Sequence, residues 1–150
     1  MNIRPATIDD LPSLLNLEQG IIDSERPYDL FLKKEDVTYY DIPNLISDSR
    51  AHLVVVELGG EIIGSGYAQI RSSKACHVHE NHCYLGFIYL EPEQRGKAVG
   101  RAILDALKAW GVSKGMSHFQ LNVYSENKSA IRAYEKAGFE KVSVLMELII

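Results

Sequence analysis

An apolar run, a basic glycine loop and an amphipathic stretch follow one another between Tyr84 and Trp110. This order constrains the fold more than any other feature of the chain. Tyr84 to Leu90 is rich in aromatic and branched residues, so it reads as a buried strand. Glu91-Pro92 ends it, because proline brings no N–H to a ladder. Val99, Ile103, Ala106, Leu107 and Trp110 then recur at helical spacing. Arg95 to Gly100 is therefore a short loop that opens a helix directly after a strand.

Such a loop suits an anion. The first N–H groups of a helix have no partner inside it, and the helix dipole adds positive potential there. Gly96 and Gly100 let a ligand approach the backbone. Arg95, Lys97 and Arg101 add charge that favours phosphate over carboxylate. The plainer reading is a helix start with a glycine turn and solvated basic residues. The loop is neither a nucleotide P-loop nor a dinucleotide fingerprint, because no Ser or Thr follows Gly-Lys and the glycine spacing differs from both.

A second stretch, Asn127-Lys-Ser-Ala-Ile-Arg-Ala-Tyr-Glu-Lys-Ala-Gly-Phe139, reads as a short helix with Asn127 as N-cap and Gly138 just past its end. Asn127, Ala130 and Tyr134 share one face, with a shallow groove at the alanine. Together the two stretches resemble the signatures of the GNAT superfamily of N-acetyltransferases. The first, Arg/Gln-x-x-Gly-x-Gly/Ala, falls on Arg95-Gly96-Lys97-Ala98-Val99-Gly100, with Ala98 where the first signature glycine is expected. The second, Asn-x-x-Ala-x-x-x-Tyr-x-x-x-Gly-Phe, is matched at every position from Asn127 to Phe139. The likeness covers roughly Leu53 to the C-terminal end, and the preceding residues fit the family's variable front.

The resemblance implies an α/β (α+β) fold with a mixed central sheet of about six to seven strands and about four helices. It also implies a parallel strand pair splayed at a cofactor cleft. Acetyl-CoA is then the co-substrate, and no metal is expected. Its pantetheine arm meets the backbone of Ile88, Tyr89 and Leu90. Its phosphates meet Arg95, Gly96, Lys97, Ala98, Val99, Gly100 and Arg101. Asn127, Ala130 and Tyr134 line the same cleft. The implied activity is direct acetyl transfer to a primary amine of a small molecule or peptide, with Tyr134 as general acid to the leaving thiolate. A core tyrosine that merely satisfies a neighbour is the plainer account of Tyr134. The competing function is a non-catalytic acyl-CoA-binding or regulatory module; a nucleotide-binding domain rests on the glycine loop alone. The base is open. Tyr84 to Leu90 holds no acid, which leaves His79, Glu80, His82 and Glu91 as candidates beside ordinary surface roles. The family also implies a homodimer, formed through the sheet or the C-terminal strand.

At 150 residues the chain is long enough for one domain, 1–150, with a real core. A net charge of −4 argues against a general nucleic-acid partner. No apolar run of about eighteen residues exists to span a membrane. The two cysteines and the absence of an export signal give a reduced, cytoplasmic protein as the expectation. Cys76-His-Val-His-Glu-Asn-His-Cys83 holds five candidate zinc ligands, but their spacing matches no familiar site. A pH-sensitive or substrate-facing loop, or a solvated one, are the other readings.

The remaining elements follow in order. Asn2 to Ala6 is a first strand, and a helix capped by Thr7 or Asp9 carries Leu11, Leu14, Leu15 and Leu17, with Gly20 interrupting or ending it. Ser24 to Tyr40 has no clear element; the resemblance makes it part of the acceptor wall, beside the alternative of an aromatic-anchored connector. Asp41 to Ser49 is a short helix with Pro43 in its first turn. Leu53 to Leu58 and Ile62 to Ile70 form a hairpin on Gly59-Gly60, and Arg71 to Asn81 is a loop or the distal end of a longer hairpin. His118 to Tyr124 is the next strand, parallel to Tyr84–Leu90, and Lys141 to Leu148 closes the sheet.

Overall fold

The computed structural model describes residues 1–150. Five strands form one sheet in the order β1-β2-β3-β4-β5: Asn2–Pro5, Ala51–Leu58, Glu61–Ser72, Asn81–Leu90 and Phe119–Gln120. The first four are antiparallel neighbours, and β5 lies parallel to β4. Four α-helices accompany them: α1 (Leu11–Glu25), α2 (Ile42–Ser47), α3 (Val99–Ser113) and α4 (Lys128–Lys136).

The sheet is covered on both faces. Leu53, Val55, Tyr67, Phe87 and Tyr89 turn to α1 and α2 and pack on Leu14, Leu17, Ile22 and Ile42. Val54, Val56, Ala68, Cys83 and Leu85 turn to α3 and pack on Val99, Ile103, Leu104 and Leu107. Two buried faces explain why β2 reads as a continuous apolar run rather than an alternating one. Gly59 and Gly60, with φ of 59° and 83°, make the tight β2–β3 turn.

The mixed α/β sheet with four helices is as expected, its five strands slightly below the six to seven. Several other expectations are refined or corrected. Gly20 does not end α1, which runs through it to Glu25; the Tyr89 ring occupies the space where a side chain would stand, with its hydroxyl 2.5 Å from an added Cβ. Arg71 to Asn81 follows its second reading, the distal end of a longer hairpin, with β3 extending to Ser72, β4 beginning at Asn81 and a connector between. The strand expected over His118 to Tyr124 pairs only at Phe119 and Gln120. Lys141 to Leu148 forms no strand at all. Beyond Phe139 every residue is exposed, and no backbone N–H donates to a carbonyl of the chain.

Candidate active site

The cleft begins with an irregularity in β4. Ser65 faces Tyr89 and Tyr67 faces Gly86, so β4 carries one residue more than β3 between those pairs. Phe87 sits within this bulge at a φ of 50°, a conformation that an L residue adopts only under constraint. The buried Ser65 hydroxyl supplies part of that constraint by donating to the Phe87 carbonyl at 2.9 Å. A bulge bends its strand and re-aims the residues after it. β4 accordingly pairs with β5 only at Cys83 and Tyr84, and beyond Tyr84 the two parallel strands separate.

The loop expected to hold an anion lies at the far end of β4. Gly96 has a φ of 79° and Ala98 a φ of 63°. Residues near αL alternating with ordinary ones turn successive N–H groups towards one side. None of the N–H groups from Gly96 to Arg101 donates to a carbonyl of the chain. Val99 is buried beneath the helix start, so only its backbone faces the cleft. The basic side chains are less free than the sequence suggests. Arg95 Nε donates to the Leu90 carbonyl at 3.0 Å, and its guanidinium stands over the Tyr89 ring. Arg101 pairs with Asp105 at 3.1 Å and reaches the Lys136 carbonyl at 3.4 Å. Lys97 rests at 3.5 Å from Gln94 Oε1.

The second signature helix closes the cleft from the side. Asn127 caps α4, its Oδ1 accepting from the Ala130 N–H at 3.3 Å. Ile88, Gly100, Arg101, Leu104, Ala130 and Tyr134 then line a mostly apolar groove of about 170 Å³. Residues from both signatures and from β4 thus meet in one place. Tyr134 also packs edge-on against Phe139. Burial, then the charge of Glu25 and the neighbouring Tyr84, push the Tyr134 phenol up to about 12. It stays protonated throughout the neutral range.

The opposite wall is built from the connector between α1 and α2. Glu18, fully buried in α1, accepts the N–H groups of Tyr39 and Tyr40 at 2.8 and 2.9 Å. Tyr40 stacks on Phe87 with ring centroids 4.7 Å apart. Tyr124 donates to Asp29 at 2.9 Å and stacks with Tyr28, which ties the same connector to the segment that follows β5. A polar hollow of about 190 Å³ opens between Tyr39, Tyr40, Asn44, Tyr67 and Arg71.

Glu25 stands among these tyrosines and gives no signal in the sequence beyond closing a helix. Burial raises its pKa, the Tyr39 hydroxyl opposes this, and Asp29 adds to the rise. The Tyr39 hydroxyl lies near Glu25 but outside hydrogen-bonding geometry and has no partner of its own. Burial first, and then the charge of Glu25 among their neighbours, raises the phenols of Tyr39, Tyr40, Tyr124 and Tyr134. One carboxyl group therefore looks onto four phenols at the C-terminal end of α1, where the helix dipole favours a cation.

The histidines lie elsewhere. His82 is six residues before Ile88 along β4, about 20 Å away at strand rise. Ser73 Oγ lies 2.6 Å from His79 Nδ1 and 2.9 Å from His82 Nδ1. His79 stacks on His118 with centroids 3.8 Å apart. Partial burial and then the neighbouring imidazoles lower the pKa values of His79 and His82. No group of three or more His, Cys, Asp or Glu side chains is arranged to hold a metal ion. The two cysteines of the stretch diverge: Cys76 is exposed, whereas Cys83 is buried beneath α3 with its thiol pushed up to about 11. Of the four candidate bases, Glu91 alone adjoins the cleft end of β4.

The sequence model of the acetyltransferase (GNAT) family matches residues 12–139. An uncharacterized N-acetyltransferase of Methanocaldococcus jannaschii is 26% identical over 150 residues, which is 95% of this chain and 62% of that protein. The chain thus spans about three fifths of the length of that curated relative. A Bacillus halodurans protein, solved as a tetramutant, superposes with a TM-score of 0.87 at 18% identity, covering 100% of both chains. A predicted acetyltransferase of Clostridium acetobutylicum, solved with acetyl-CoA, superposes with a TM-score of 0.76 at 18% identity over 99% of this chain and 95% of that one. At such identities the two solved structures speak to the fold alone.

Proposed function

The chain belongs to the acetyltransferase (GNAT) family, and on that premise we propose that residues 1–150 act as one domain that transfers the acetyl group of acetyl-CoA to a primary amine. The observation that carries this reading is the groove in which Ile88, Gly100, Arg101, Ala130 and Tyr134 meet, beside a run of unbonded N–H groups. The donors from Gly96 to Arg101 suit a pyrophosphate. The strand end at Ile88, Tyr89 and Leu90, splayed from β5, suits an amide-bearing arm; the Leu90 carbonyl is already held by Arg95. Asn127 fixes the start of α4 so that Ala130 leaves room and Tyr134 faces the gap.

Bound acetyl-CoA supplies an activated thioester; the protein positions the amine and handles two protons. Glu25, its affinity for a proton raised by burial, draws a cationic amine among the tyrosines and takes its proton. The amine nitrogen then forms a bond to the acetyl carbon as the carbon–sulfur bond breaks. Tyr134 gives its phenolic proton to the departing sulfur. A phenol near 12 is a weaker acid than a thiol at roughly 8.5. Its help is therefore greatest as a hydrogen bond that tightens while charge develops on sulfur. Glu25 also answers the one observation that favours a non-catalytic module, the absence of an acid from Tyr84–Leu90. The acceptor is a small-molecule or peptide amine. The reading places the enzyme in the cytoplasm as a homodimer; no helix is long and apolar enough to cross a membrane.

Acetyl-CoA-dependent thiol release across a panel of primary amines tests the proposal. Tyr134→Phe is expected to lower turnover at least about tenfold, with acetyl-CoA binding changed less than about threefold. Glu25→Gln is expected to lower kcat/KM most for amines that arrive protonated. Absence of thiol release with every amine of the panel would favour the binding module, and unchanged turnover in Tyr134→Phe would remove that residue from the chemistry.

A further inference from the structure

The arginines around the cleft differ in how far their charge is already engaged. Arg101 pairs with Asp105, and Arg95 donates to the Leu90 carbonyl. Arg71, on β3, forms no ion pair with any carboxylate of the chain. Its guanidinium is nevertheless held in place. Nε donates to Gln69 Oε1 at 3.0 Å, a terminal nitrogen donates to the Tyr67 hydroxyl at 3.4 Å, and the group lies 3.9 Å over the Tyr84 ring. These bonds use two of the five guanidinium N–H groups, and the remaining three have no acceptor in the protein. A planar fork fixed on an aromatic ring, exposed and without its anion, is set for bidentate contact with a carboxylate.

The alternation of β3 explains where this fork stands. Tyr67, Gln69 and Arg71 share the face turned to α1 and α2. The start of α2 comes over them, and the polar hollow of about 190 Å³ between Tyr40, Asn44, Tyr67 and Arg71 is the result. Asp41, the cap of α2, also lines it. One guanidinium beside one carboxylate leaves too little positive charge for a phosphate dianion and suits a singly charged acid. Tyr40, Tyr67 and Tyr84 lead from the hollow to the cleft, with successive ring centroids 5.8 and 6.3 Å apart. Burial raises the phenols of Tyr40 and Tyr67; Glu25 adds to the first rise, and Arg71 opposes the second. The acidic and basic groups thus stand at different ends of one tyrosine wall.

We propose that Arg71 and the hollow beside it form a carboxylate subsite, and that the acceptor is a primary amine carrying a carboxylate at its far end: a short peptide or an ω-amino acid. The strand sets the length. Tyr84, beneath the guanidinium, precedes Phe87 and Ile88 on β4. Those residues mark the splayed end that the proposed function gives to the acyl donor. Three to four residues separate the two places, roughly 10–13 Å at strand rise. An α-amino acid holds its amine and carboxylate too close together to reach both. Three extended peptide residues span about 10 Å, so a tripeptide or an ω-amino acid of equal reach fits. The amine half of this inference rests on the acetyltransferase reading; the carboxylate subsite does not.

Two readouts keep the subsite and the activity apart. In acetyl-CoA-dependent thiol release, triglycine is compared with triglycine amide, and 8-aminooctanoate with its amide. Wild type is expected to favour the acid of at least one pair in kcat/KM by roughly tenfold or more, through KM. The better acid tells a peptide from an ω-amino acid. Arg71→Gln should bring the ratio of acid to amide near one, and Arg71→Lys should keep part of it. Asp41→Asn still caps α2 and removes the competing charge, so it should raise the ratio roughly two- to threefold. Melting points check that each variant is folded. In the second readout, the Arg71 Nε–Hε resonance is followed by NMR without acetyl-CoA. It should shift saturably with the favoured acid and stay in place with the matching amide. If no amine supports thiol release while that resonance still shifts with either acid, the acetyltransferase reading fails and the subsite stands. Equal kcat/KM for acid and amide in both pairs overturns the subsite. So does a preference that survives in folded Arg71→Gln, or a resonance that neither acid moves.

Discussion

Ala98 offers a test of the loop geometry with opposite signs for two substitutions. It caps α3 at φ 63° and ψ 10°, and it is exposed, so a change of side chain removes no packing. An L residue held near αL costs about 1–2 kcal/mol. Replacing it with glycine relieves that strain but returns about 0.4–1 kcal/mol of backbone freedom to the unfolded chain. Ala98→Gly should therefore be more stable by about 0.5–1 kcal/mol. With an unfolding entropy of about 0.3 kcal/mol per kelvin for a chain this long, the melting point rises by roughly 2–3 °C. Ala98→Val places a β-branched residue where such residues are outliers, and should melt at least about 3 °C below the wild type. Thermal unfolding by dichroism, with and without acetyl-CoA, reads both effects. In Ala98→Gly the extra stabilisation from ligand should match the wild type, because the donors from Gly96 to Arg101 keep their places. A glycine variant that melts 2 °C or more below wild type, or a valine variant indistinguishable from it, would refute the left-handed cap and the donor arrangement that depends on it.

Two further outcomes are expected. Glu18→Ala leaves the Tyr39 and Tyr40 N–H groups without an acceptor inside the protein; two such losses destabilise by about 2–5 kcal/mol, and urea unfolding should show the midpoint fall accordingly. The Arg4 guanidinium, at 2.8 and 2.9 Å, lowers the pKa of Asp10, and the Thr7 N–H adds to this. A lowered carboxylate pKa means that the unfolded chain binds the proton first, so this stability is fully present above about pH 4 and is lost as pH falls through the folded value. Melting points followed between pH 6 and pH 2 should decline less steeply in Asp10→Asn than in wild type, and parallel curves would refute the assignment.

What was legible in the sequence depended on how local its cause was. The loop and the start of α3 follow from glycine spacing and helical periodicity within a dozen residues. Asn127 and Gly138 bound α4 for equally local reasons. The Phe87 bulge left no such trace, because its cause is a hydroxyl on Ser65, a residue of the neighbouring strand. Glu18 looks like any charged helix residue until the chain returns 21 residues later and offers it two donors. Glu25 is equally plain in sequence; its environment is assembled from Tyr39 across a connector and from Tyr124 and Tyr134 far along the chain. Gly20 reads as a helix end because a helix interior seldom needs glycine; here the Tyr89 ring requires it. The alternation over His118 to Tyr124 and Lys141 to Leu148 is real, but periodicity reports only a fitness to be a strand. It does not say which neighbour completes the ladder.

The two sides of the cleft are made of different material. The side towards the glycine loop presents main-chain N–H groups, which every residue but proline carries. The side towards α1 presents phenols and carboxylates, each of which a single codon change can erase. Under the proposed function, substitutions accumulate almost silently on the first side and alter recognition at once on the second. Descendants of one ancestor would then keep a common acyl donor while their amine acceptors scatter, so kinship within this fold forecasts the donor far better than the acceptor.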